Sequence, residues 1–182
     1  MSNTTCSLRF LGSENNSDIR KLTTNLVPFP RVHFLMQAQA PLTSLANSKW
    51  DKLGVPELAA QMFDARSLLS ESGDLRTSGK ILTASSLFRG KNMSTLEAET
   101  AINKLRNKNS GSFVEWIPDN MMTTVCQVPS SFSSIDVSGT FLTNSTSIAQ
   151  SFRTLSDNFE KMLRAKAYVH WYTQEGMDVA EF

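Results

Sequence analysis

The sequence has no glycine-dense turn. Its eight glycines are scattered, and neither Gly-x-x-x-x-Gly-Lys-Ser/Thr nor Gly-x-Gly-x-x-Gly occurs, so no loop of successive amides stands ready to cradle a phosphate. Cysteine is scarce as well. Cys6 and Cys126 lie far apart in the chain without the paired spacing of a zinc site, and two are too few for a disulfide scaffold, so a reducing compartment is expected. No charge of one sign dominates: 18 basic and 17 acidic residues leave a net charge of +1, which gives no whole-chain field to gather nucleic acid or an anionic membrane. No uninterrupted apolar run approaches the roughly 20 residues that span a bilayer, and "MSNTTCSLRFLGSENN" has no apolar core of signal-peptide length. The expectation is a cytoplasmic protein with neither nucleic acid nor membrane as partner. Asn3, Asn15, Asn92 and Asn144 each open an Asn-x-Ser/Thr triplet, a pattern that chance supplies in a chain this rich in Ser, Thr and Asn.

What the chain does have is enough apolar material for one ordinary core, with 182 residues of which 40% are hydrophobic and 9% aromatic. In "SDIRKLTTNLVPFP", Ser17 or Asp18 caps a short helix whose apolar positions Ile19, Leu22 and Leu26 follow helical spacing, and Pro28 with Pro30 forbids its continuation. "RVHFLM" reads as a strand, because its aromatic and branched residues form a short apolar run. "QAQAPLTSLANSKWDKLG" reads as a long surface loop, which is uncommon without a purpose. Pro56 stands at a helix start, followed by an apolar face of Leu58, Ala59, Met62 and Phe63. "KILTASSLFRG" reads as a central strand, and Ser94 with Glu97 forms a capping box for a helix that buries Ile102 and Leu105. "SFVEWI", "TTVCQV" and "IDVSGTFL" are three further strand-like runs. Asn144 or Ser145 then caps a last helix, whose Ile148, Phe152, Leu155, Phe159 and Met162 lie on one stripe that must meet a sheet or a partner helix. This order predicts an α+β or α/β layer, with helices packed on a mixed sheet.

Catalytic constellations are sparse. His33 lies in a strand-like apolar run and His170 in the aromatic cluster "YVHWY", neither with an acid partner at a specifying distance. Glu115 is a lone carboxylate expected in solvent or in a salt bridge, and Cys126 is expected to be a small buried hydrophobe.

The strings "LVPFPRVHFLM", "APLTS", "VPELAAQMFDA", "FVEWIPDN", "NST" and "HWYTQEGMDVAEF" resemble tubulin, specifically its β type, with small gaps from about Thr5 to Phe182. The resemblance implies an α+β fold of the family's intermediate and C-terminal domains, with a mixed β-sheet, packed helices and the start of a C-terminal helical region. Residues 1–30 would form a linker and core-helix segment with a nucleotide-contacting loop, 31–144 the intermediate domain with a lateral loop at 37–54, and 145–182 the start of the helical region. It also implies that the chain lacks the amino-terminal GTP-binding half, the final helix and the acidic tail. The isolated chain would then hold no cofactor and be no enzyme, whereas full-length members bind GTP or GDP and hydrolyse GTP. Asn16, Asp18 and Lys21 match the motif that reaches to the nucleotide of a neighbouring subunit. Lys21 stands where α-type chains carry a glutamate, and an ammonium can contact phosphate charge but cannot act as a base while protonated.

By the same resemblance Pro41, Leu42, Thr43, Ser44 and Trp50 fall in a loop that makes lateral contacts between protofilaments. Trp50 either docks into the neighbour or folds back on its own domain. In that loop Gln39 replaces a phenylalanine and Leu45 an arginine of the family; Cys6, Leu22, Asn25 and Leu26, with Lys21, fall where the family lines its colchicine pocket, although Met122 replaces a lysine there. The implied function is that of a structural subunit of cytoplasmic, cytoskeletal microtubules, partnered by alpha-tubulin and neighbouring tubulin subunits, with GTP binding dependent on the amino-terminal half. The alternative is a stand-alone module that caps or inhibits protofilaments.

Overall fold

A computed structural model of the chain describes residues 1–10, 18–43, 53–70, 75, 77–130 and 136–182. Its elements are α1 (Cys6–Arg9), α2 (Ile19–Leu26), β1 (Met36–Ala40), α3 (Val55–Met62), β2 (Ile81–Gly90), α4 (Thr95–Lys108), β3 (Met121–Cys126), β4 (Val137–Ser145), α5 (Ala149–Arg164) and α6 (Val169–Gln174). They fall into two compact units, Met1–Ser147 and Ile148–Phe182.

The first unit is built on a four-stranded sheet of order β1-β4-β2-β3, in which β2 pairs antiparallel with β4 and parallel with β3, while β1 pairs antiparallel with β4. The mixed sheet with packed helices is the α+β arrangement expected from the sequence. β2 is the central strand, and every one of its ten residues is buried, as befits a strand covered on both faces. On one face α3 and α4 close over an aromatic core in which Phe63 packs on Phe141 at 4.5 Å and on Phe113 at 6.4 Å between ring centroids. Leu58, Ala59, Met62 and Phe63 are essentially fully buried, each large side chain contributing about 1.5–3 kcal/mol of transfer free energy. α3 starts with Pro56 in its first turn, and Glu57 accepts from the Gly54 N–H at 3.3 Å.

Polar groups organise the opposite face. Asn144 donates to the carbonyls of Leu26 at 3.0 Å and Val32 at 2.8 Å, and Thr83 Oγ1 donates to Leu26 at 2.7 Å. The bonds to Leu26 satisfy a carbonyl at the end of α2 that the helix itself leaves open, and the bond to Val32 ties the segment that follows to β4.

Several local expectations are corrected. The strand is Met36–Ala40, not the aromatic run before it: residues 32–35 have no regular structure, and the "QAQA" placed in the surface loop is β1 itself. Its alternation of buried Met36, Ala38 and Ala40 with outward Gln37 and Gln39 is strand periodicity carried by one methionine and two alanines. "SFVEWI" forms no strand and makes a single bridge, Phe113 to Ile81. Ser94 occupies the N-cap of α4, but its side chain makes no cap bond; this start is exposed, so water can satisfy the free amides. Asn144 and Ser145 cap no helix, because both lie in β4, and α5 follows a 3-10 turn at Thr146–Ile148.

In the second unit α5 carries its apolar stripe as expected from spacing, yet Phe152, Leu155, Phe159 and Met162 are all exposed. The helix has no buried residue.

Candidate functional site

The predicted residues fall in three groups. Asp18 is the N-cap of α2, its carboxylate accepting from the Arg20 N–H at 3.2 Å, and Lys21 stands exposed on the same helix. Asn16 lies outside the described residues. Asp18 therefore has a definite local task, the satisfaction of a free helix amide, whatever else its charge does.

The loop after β1 begins with a cis peptide between Ala40 and Pro41. Leu42 is 60% exposed, with Pro41 and Thr43 half-buried beside it. Ser44 and Trp50 lie outside the described residues. Beneath the loop base is a cavity of about 230 Å³ walled by the N-terminal residues, the end of β1 and Ser138 and Thr140 of β4.

The third group does not converge on one cavity. Cys6 and Leu26 are fully buried. Leu22 lines a space of about 20 Å³ with Ser85, Leu87 and Leu142, which has room for about one water. The Ser85 hydroxyl there is buried with no hydrogen-bond partner among the described residues. Asn25 instead faces a cleft of about 570 Å³ shared with α4 and the start of β3, and donates to the sulfur of Met122. Arg106 and Asp119 pair at 3.7 Å among the residues of this cleft.

Two features escaped the sequence reading. Cys6 and Cys126, distant in the chain, meet in the fold, packed with Leu87 and Phe10. Burial, and after it the neighbouring Cys126 thiol, pushes the Cys6 thiol up to about 12. Cys126 is buried, as expected of a small hydrophobe. The second feature is an exposed aromatic pair: Phe29 and Trp116 stand 5.8 Å apart between ring centroids, 49% and 60% exposed. Val32, Phe34 and Leu35 are also exposed, and His33 stacks on Phe34 at 4.9 Å. Adjacent apolar residues in "PFPRVHFL" and "EWIP" were the available signal, masked by their reading as strands. His170, on α6, packs at a tilt against Trp171, 4.6 Å between ring centroids. Glu115 is exposed, as expected of a lone carboxylate. Asn3 and Asn144 are buried with their amides hydrogen-bonded, so neither could accept a glycan in this fold.

Comparison with known proteins agrees with this architecture. The sequence profile of the tubulin C-terminal domain matches residues 30–157. Over all 182 residues the chain is 51% identical to a tubulin beta chain of Cicer arietinum, covering 39% of that protein. It is 50% identical to the tubulin beta-7 chain of Gossypium hirsutum and to the tubulin beta-3 chain of Zea mays, covering 40% of each. The chain thus spans about two fifths of the length of the curated relatives it matches. None of these relatives is a separate capping factor; they are tubulin chains themselves. With the family's C-terminal domain matched over most of its length and about half of its residues shared with β chains throughout, the chain belongs to the tubulin family as a divergent β-type member.

Proposed function

We propose that the chain is part of a β-tubulin subunit and contributes longitudinal and lateral contacts to a microtubule, partnered by alpha-tubulin and neighbouring tubulin subunits. In this reading GTP or GDP is cradled by the family's amino-terminal region, and Asp18 and Lys21, with Asn16, reach toward a neighbour's nucleotide. Lys21 would neutralise phosphate charge without acting as a base, so this surface holds a nucleotide and does not cleave it. Pro41, Leu42 and Thr43, with Ser44 and Trp50, form the lateral loop.

The observation that carries the reading is the exposed Phe29–Trp116 pair beside the α2 segment. Two large rings packed on each other in water are a poor arrangement for an isolated surface and a good one for an interface core, where aromatic anchors supply much of the binding energy. The test is co-sedimentation of the full 182-residue chain with tubulin polymerised in GTP. The chain is expected in the pellet in proportion to polymer, and Phe29→Asp or Trp116→Asp should return it to the supernatant. A chain that stays soluble at all polymer concentrations would overturn the proposal.

A further inference from the structure

Arg89, near the end of β2, is the largest fully buried side chain among the described residues, at 2% exposure. Its guanidinium bonds to neutral acceptors drawn from two separate stretches of chain. Nη1 donates to Ser2 Oγ at 2.9 Å and Asn3 Oδ1 at 3.3 Å, while Nε donates to the Val128 carbonyl at 2.7 Å and Nη2 to the Pro129 carbonyl at 3.2 Å. The Phe10 ring lies over it at 5.4 Å. Among the described residues no carboxylate forms an ion pair with it. A buried charge with only neutral partners is costly, and an apolar side chain of similar volume would fill the space more cheaply. What an apolar residue cannot do is hold two chain segments at a fixed spacing, which the rigid fork of five N–H donors does well.

Those segments belong to the surroundings of the cavity beneath the loop that follows β1. Met1, Ser2 and Asn3 line it, and Ser130, next to Pro129, lines it from the other chain segment. The connection runs on into the sheet. Asn3 Nδ2 donates to Thr140 Oγ1 at 2.8 Å, Thr140 is paired in register with Gln39 and Gly139 with Ala40, and the loop starts at the next residue, Pro41.

We propose that Arg89 is the positioning residue of this loop: by tying residues 2–3 to residues 128–129 it fixes the cavity floor and, through Asn3 and Thr140, the seat of Pro41 and Leu42. The significance for assembly rests on the lateral-contact reading of the loop given above. The tie itself does not.

The experiment is hydrogen–deuterium exchange by mass spectrometry on the full chain, wild type against Arg89→Lys. Lysine keeps the charge but concentrates its donors on one atom, which cannot span both segments. Amides in residues 2–5, 37–43 and 128–130 should exchange at least about tenfold faster, while those of Ala98–Ile102 in α4, packed on the opposite face, stay within about twofold. A merely structural arginine would accelerate all regions together, and that result, or unchanged exchange at 37–43, overturns the proposal. If Arg89→Lys does not fold, Asn3→Ala decides, because it cuts the path to Thr140 while leaving the bonds to Ser2, Val128 and Pro129. It should loosen 37–43 and spare 128–130; equal effects on both segments, or none on 37–43, refute the path. Regional loosening in a chain that never co-sediments with tubulin would leave the tie standing and refute the lateral reading instead.

Discussion

Gly139 sits in β4 between Ala40 of β1 and Phe88 of β2, under helix α3. A methyl group built there would come within 2.6 Å of both Leu58 Cδ2 and Met62 Sδ. The backbone at Gly139 is not in the left-handed region, so the conflict of Gly139→Ala is one of space alone. Both offending atoms belong to side chains that are 0% exposed, and in a close-packed core neither can swing away without moving α3 off the sheet. Overpacking of this kind costs about 1–3 kcal/mol. For a chain of this size each kcal/mol moves the melting midpoint by about 2–4 °C, so a drop of about 2–12 °C is expected by circular dichroism or calorimetry. Gly111→Ala is the control, since a methyl there meets nothing within 4 Å, and its effect should stay within about 0.5 kcal/mol. A second arm locates the clash. Leu58→Ala alone should cost about 2–5 kcal/mol, but combined with Gly139→Ala it removes one of the two conflicts and leaves space into which Met62 can shift, so the double variant should lose less than the sum by at least about 0.5 kcal/mol. A Gly139→Ala midpoint equal to that of the control, or strictly additive losses, would refute the reasoning.

Three further outcomes are expected. Asn144→Asp should lower the urea midpoint more than Asn144→Ala, because it aims an acceptor at the carbonyls of Leu26 and Val32, whereas the alanine only removes two donors, at about 1–2 kcal/mol; the reverse order would mean that the amide bonds are not the source of stability. The Cys6 thiol is raised from 9.0 to about 12 by burial first and by Cys126 second, so its contribution is fully present below about pH 9 and is lost as pH climbs toward 12. Urea midpoints of the wild type should therefore fall more between about pH 7 and about pH 10 than those of Cys6→Ala, and parallel curves would refute the assignment. Asp18→Ala should destabilise by about 1 kcal/mol and Asp18→Asn by a few tenths, since asparagine caps as well. Equal losses in thermal melts would show that charge and not capping matters for folding.

The two helices with strong apolar spacing, α3 and α5, were legible from sequence, and so was the central strand β2, because periodicity and terminators are written in neighbouring residues. The cap of α2 by Asp18 was legible for the same reason. What escaped depends on partners far along the chain. Asn144 reads locally as a helix cap, and only the approach of Leu26 and Val32 makes it a strand residue that closes another helix. Cys6 and Cys126 read as unrelated until α1 and β3 meet. Arg89 carries no signal at all, since an arginine ending an apolar strand looks like the point where the strand reaches water.

The misplaced first strand is the most informative failure. "RVHFLM" has aromatic and branched residues suited to a half-buried strand, and "MQAQA" has alanines that suit one poorly, yet the fold gives the ladder to the second and leaves all of the first but Met36 outside it. The register explains this: Ala38 and Ala40 lie opposite Phe141 and Gly139 of β4, over which α3 packs through Leu58 and Met62, and larger side chains would compete for that space. Burial at Ala38 and Ala40 thus selects small residues, while Val32, Phe34 and Leu35 remain at the surface, where sequence pattern alone would have hidden them. A local preference overruled in this way calls for a compensating gain. The same pattern recurs at "FVEWI", read as a strand and found with Trp116 exposed beside Phe29. Both misreadings leave apolar residues exposed, Val32, Phe34 and Leu35 shortly after Phe29 in the chain and Trp116 packed on Phe29 itself, as expected if those residues were selected for a surface that a neighbouring subunit covers.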